Sequence, residues 1–138
     1  MNKLLIISGI AAFILVCTAQ KQAVNIKAGE SESLEEDSVE YVLETFDPNF
    51  ETWYALNNSP SQYHSERYYE GWNQRYVSAW NYNASTSHKN RFFEHIIGYD
   101  PTIDYNFELN HKLFYYFLYV ENVLKIEIMT GGPKALPF

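Results

Sequence analysis

Within eighteen residues the chain carries Glu94, His95, Asp100, Asp104 and His111, carboxylates and imidazoles able to hold a metal ion or exchange a proton. Their spacing argues against such a site. No two histidines stand four apart, and only Asp100 and Asp104 are one helical turn from each other. Asp100 precedes Pro101 and reads as a helix N-cap, with Asp104 as a first-turn acid facing the helix dipole. These five remain weak candidates for a metal, and no cofactor is implied. A nucleophile is harder still to find. There is no Gly-x-Ser-x-Gly, the serines cluster in polar loops, and the six glycines form no phosphate-cradling run. Asn83-Ala84-Ser85 matches a glycosylation acceptor but reads as loop. No residue is assigned a catalytic role. The other chemistry on offer is stacking: Trp53, Trp72 and Trp80, with Asp47 and Asp100 among the neighbouring polar groups, could hold a sugar face or a partner's side chains. Against this stands the plainer reading, that rings recurring at helical spacing are core.

The elements that would position these residues are legible in outline. Val39 to Phe46 has strand character, with Val39, Tyr41 and Leu43 on one face and Glu40 and Glu44 on the other. Asp47-Pro48 opens a short helix that runs through Leu56 and ends at Asn57-Asn58-Ser59-Pro60. Ser65 with Glu66 opens a longer one, on which Tyr69, Trp72, Tyr76, Ala79 and Trp80 share a stripe. Asn81 to Ser87 reads as a polar loop, and Phe92, Phe93, Ile96 and Ile97 follow at paired spacing. Tyr99-Asp100-Pro101 repeats the aromatic-Asp-Pro of Phe46-Asp47-Pro48, with four of twelve aligned positions identical, too few to claim a duplication. Length favours one helix over 101–122, although Ile103, Tyr105, Phe107 and Leu109 alternate like a strand. Leu124, Ile126 and Ile128 alternate with Lys125 and Glu127 as a strand to pair with 39–46. The expectation is a small, mostly helical α+β domain over 39–129, with a short strand pair from its two ends and a loop tail at 130–138.

Composition explains the rings. Between Tyr41 and Tyr119 lie 22 of the 24 aromatics, while 39–129 holds only sixteen Leu, Ile and Val. Aromatics must therefore supply much of the core.

The N-terminus carries an address. A positive start at Met1 to Lys3 precedes thirteen uncharged residues, Leu4 to Val16. A membrane span needs roughly 20 apolar residues, so 1–17 reads as a signal peptide. Ile14-Leu15-Val16-Cys17 has the form of a lipobox, in which Cys17 takes lipid, although Val16 stands where that peptidase prefers Gly, Ala or Ser. Cys17-Thr18-Ala19 equally has the small-x-small form of ordinary cleavage, and an uncleaved anchor is the third reading. Residues 18–38 read as a disordered acidic tether spanning roughly 25 Å. Residues 28–51 hold nine acids and no base, against eight acids and seven bases over 52–138. The charge of −7 thus belongs to the tether and its junction with the domain, and a pI of about 5.0 argues against a nucleic-acid partner.

Asp47-Pro48-Asn49-Phe50-Glu51-Thr52-Trp53, the Tyr63/Tyr68-Tyr69 segment, Trp80-Asn81 and Tyr99-Asp100-Pro101-x-Ile103-Asp104-Tyr105 occur in a telling order, continued by Asn110-x-Lys112-Leu113-x-Tyr115. The chain resembles a family of small exported, lipoprotein-like Bacteroidota proteins known only as a domain of unknown function. The likeness covers about residues 40–121. It implies a place in the periplasm or on the inner leaflet of the outer membrane, and it brings no activity. The expected function is a non-catalytic envelope module that binds a protein or glycan, attached through lipid at Cys17. The alternative is a small periplasmic hydrolase or metal-binding protein using Glu94, His95, Asp100 and Asp104.

Overall fold

The computed structural model describes residues 24–29, 39–86, 92–93 and 95–133. It is a small α+β domain of three α-helices and one two-stranded antiparallel sheet. Strand β1 (Val24–Gly29) pairs with β2 (Glu40–Thr45) in a register running from Val24 opposite Thr45 to Gly29 opposite Glu40. Alternation puts Ile26 and Leu43 opposite each other on one face, where Val24 and Leu43 are buried. On the other face Lys27 pairs with Glu44 at 2.7 Å, an exposed ion pair that contributes little. β2 packs against α1 and α3, whereas β1 contacts no helix and, among the helices and strands, meets only β2.

Each helix begins where a side chain can accept an orphan backbone N–H. For α1 (Pro48–Asn57), Asp47 Oδ1 accepts from Asn49 N at 2.9 Å, and Pro48 takes the first position, where no N–H is needed. For α2 (Glu66–Ser85), Ser65 Oγ accepts from Tyr68 N. For α3 (Phe107–Asn122), Asn106 Oδ1 accepts from Leu109 N at 2.8 Å. Because 113–120 is apolar all round, that part of α3 is buried on every side, and α1, α2 and β2 pack on the helix. Among the described residues, eleven of the twenty buried hydrophobic ones are aromatic, as composition requires. Phe50 meets Tyr116 edge-on at 5.1 Å, Tyr76 stacks on Phe117 at 4.9 Å, and Trp80 meets Phe93 edge-on at 4.8 Å.

Several boundaries differ from the sequence expectation. β2's partner is Val24–Gly29, which lies inside the stretch read as tether, and not Leu124–Ile128. The later segment cannot continue as a strand because Lys125 has φ 58°. It forms a strap instead. Ile126 N donates to Val120 O, while Ile128 N and Met129 N both donate to Glu121 Oε1. The final helix starts at Phe107, not Pro101. Asp100 Oδ1 accepts from Thr102 N at 2.8 Å and Thr102 Oγ1 at 2.7 Å, closing a turn rather than capping a helix. α2 runs through Ser85, beyond the loop expected from Asn81. Its polar residues there brace other segments: Asn81 bonds both backbone groups of Ile97, and Asn83 Nδ2 donates to Ile128 O. The signal peptide, Cys17 and the acid-rich 30–38 lie outside the described residues. Among the described residues, no helix is long and apolar enough to cross a membrane.

Candidate functional site

Two places hold side chains whose surroundings set them apart. The first is internal. Asn73 on α2 and Asn110 and His111 on α3 are buried polar residues in an otherwise apolar seam. Asn73 Nδ2 donates to Asn110 O at 2.8 Å, Tyr99 Oη donates to Asn110 Oδ1 at 2.9 Å, and Asn110 Nδ2 donates to Tyr105 O at 3.1 Å. This network fixes α2 and the Tyr99–Tyr105 turn against α3. His111 is boxed by rings, with Tyr63 and Tyr115 centroids at 4.4 Å, Tyr69 at 5.0 Å and Phe107 stacked at 5.5 Å. Its Nδ1 shares a 2.9 Å hydrogen bond with Tyr54 Oη. Burial pushes the imidazole down to about 4, so it is neutral near pH 7. His111 Nε2, Tyr115 Oη and Asn73 Oδ1 are buried without a partner among the described residues.

The second place is on the surface, along the N-terminal half of α2. His64 stacks on Tyr68 at 4.0 Å, Tyr68 meets Trp72 at 6.4 Å, and the Arg75 guanidinium lies 5.0 Å over the Trp72 ring. The spacing, 64, 68, 72 and 75, is that of one helix face extended back past its cap. His64 and Arg75 are exposed, and Tyr68 and Trp72 are half-buried. The strip is held from below: Tyr68 packs edge-on against Phe114, Trp72 against Tyr76, and His64 N donates to Tyr69 Oη. Ring faces held in this way can stack on a planar or sugar ligand, and a guanidinium adds a fork of donors. The strip contains no activated nucleophile.

The residues singled out from sequence are dispersed. Trp80 is fully buried and its Nε1 donates to His95 O at 2.8 Å, so it presents no ring to a ligand. Trp53 is half-buried against Phe50, Tyr115 and Tyr119. Of the three Trp, Trp72 alone belongs to the strip. Asp47 is architectural: besides capping α1 it accepts from Tyr119 Oη at 3.0 Å, tying α1 to α3. Asp100 is exposed, and the two Thr102 bonds hold its carboxyl below the usual range. Asp104 lies not near a histidine but beside Glu66 and Glu70, their oxygens within 4.8 Å of one another. That trio is the closest grouping of its kind among the described residues and includes neither His95, Asp100 nor His111. His95 is exposed, and Glu94 lies outside the described residues.

Sequence reading passed over His64, Tyr68 and Arg75 because the stripe it followed was the buried one. The neighbouring positions at 64, 68, 72 and 75 were the available signal, with Trp72 shared between the two rows. The chain matches a family of unknown function, DUF6146, over residues 4–131, and it belongs to that family. No curated protein and no solved structure matches it.

Proposed function

We propose that this member of the family is a non-catalytic binding or accessory module of a bacterial cell envelope, using the Tyr68–Trp72 strip to meet a protein or glycan partner. The observation that carries the reading is the strip itself: half-buried rings stacked in a row between an exposed imidazole and an exposed guanidinium. Location rests on the apolar run ending at Cys17 and on the likeness to exported, lipoprotein-like Bacteroidota proteins. In this account Cys17 bears the lipid, and residues 18–23 join it to β1, with the acid-rich 30–38 lying between β1 and β2. What speaks against the hydrolase or metal-binding alternative is that His95, Asp100 and Asp104 have separate surroundings, so among the described residues of that set no acid and base face a common point.

Two measurements test this. Metabolic labelling with a palmitate analogue should mark the wild-type chain and not Cys17→Ala; an unlabelled wild type removes the lipid anchor. Pull-down from envelope extracts should enrich a partner over a lipidated control of unrelated sequence. Enrichment no better than that control removes the binding role.

A further inference from the structure

We propose that the groove between β2 and α3 takes a basic, extended segment of another protein as a third strand of the sheet. The sheet has only two strands, so β2 keeps one edge unpaired among the described residues. A cleft of about 150 Å³ lies there, walled by Glu40, Tyr41, Val42 and Leu43 on one side and by α3's start on the other. Successive strand side chains point to opposite faces, so a cleft lined by four residues in a row runs along the strand's edge. No β1 residue lines it, and of the two strands only β2 contacts a helix, which places the cleft on the edge turned toward the helix. Four residues of strand span roughly 13 Å, a short run in which main-chain hydrogen bonds supply affinity and side chains supply choice.

Charge selects the occupant. Glu40 and Glu108 stand exposed at the walls. The cation lining the cleft, Lys112, is already paired with Glu51 at 3.0 Å. Glu108 also lies in the first turn of α3 and offsets its dipole. The cleft is therefore acidic, and Val42, 49% exposed, adds an apolar flank for an incoming side chain. An acidic strand edge with an apolar shoulder fits a peptide that alternates Lys or Arg with β-branched residues. This groove is separate from the Tyr68–Trp72 strip, so either can fail without the other.

Fluorescence polarisation of the full chain tests the groove with three labelled hexapeptides. They are Thr-Lys-Val-Arg-Val-Thr, its counterpart with Glu for Lys and Arg, and the basic peptide N-methylated on alternate amides. The basic peptide should bind at least roughly tenfold tighter than the acidic one, and N-methylation should abolish binding. Glu40→Lys with Glu108→Lys, both at exposed positions and checked for an unchanged circular dichroism spectrum, should reverse the preference. No saturable binding of the basic peptide below about 1 mM overturns the proposal, as does equal binding of the N-methylated form. Self-association of the unliganded chain that the charge reversal abolishes would assign the groove to a second copy and would also overturn it.

Discussion

A protonated imidazole has no place at His111. The groups facing it are the rings of Tyr54, Phe107 and Tyr115, with Tyr63 before α2 and Tyr69 on it, and none of them carries a negative charge near neutral pH. In the unfolded chain the same imidazole takes its proton near 6.5, and in the fold only at about 4. Between these values the unfolded state binds more protons, so this residue's share of stability is complete above pH 6.5 and is lost as pH falls toward 4. The loss should be on the order of 2–3 kcal/mol. Chemical denaturation across that range should show a steep decline in wild type and a flatter one in His111→Phe; parallel curves would remove the imidazole from the account. The tryptophans offer a second comparison. Trp80→Ala removes a fully buried ring and its bond to His95 O and should cost about 3–5 kcal/mol. Trp72→Ala, at a half-buried site, should cost about 1 kcal/mol. Thermal melts of the two variants give the ordering, and equal losses would place Trp72 in the core.

The strap after α3 depends on Glu121. One carboxylate oxygen takes two backbone N–H groups of the strap, and the other takes the Tyr76 hydroxyl at 2.8 Å. Gly132 closes over this pair. A Cβ there would sit 2.5 Å from Tyr76 Oη and 3.2 Å from Glu121 Oε2, and Tyr76 is too enclosed to withdraw. Gly132→Ala should therefore destabilise by about 1–3 kcal/mol. Adding Tyr76→Phe should recover part of that loss, read as a positive coupling in a double-mutant cycle. Additive losses would mean that Gly132 is not seated there. Elements like this one show where sequence is readable. Helix starts were legible at Asp47-Pro48 and Ser65, since a cap is a local event. The same Asp-Pro grammar misled at Asp100-Pro101, where Thr102 captures the carboxylate and Tyr105 is drawn into the core. β1 was overlooked because its apolar residues are few and set in a polar stretch, and only pairing with β2 gives them a face to cover.

Taken as a molecule, the domain uses rings where most proteins of its size use aliphatics, and this governs how its function is read. Aromatic abundance alone does not signal a binding site, because α3 contains an eight-residue run of buried side chains, 113–120, in which four rings, 114–117, are neighbours in sequence. What sequence could not separate was which rings the fold would leave outside. Trp72 and Trp80 are eight apart on one helix, yet only Trp72 reaches solvent, because Phe93 and the His95 carbonyl lie against Trp80. The acids and histidines of 95–111 lost their common address for the same reason, being spread between a turn, an exposed loop and the interior. The binding role therefore rests on the half-buried Tyr68–Trp72 strip. Its most direct test is capture of envelope protein or glycan by the wild-type chain compared with Tyr68→Ala/Trp72→Ala, both lipidated and both folded. Capture should fall at least roughly tenfold in the double variant. Undiminished capture would contradict it.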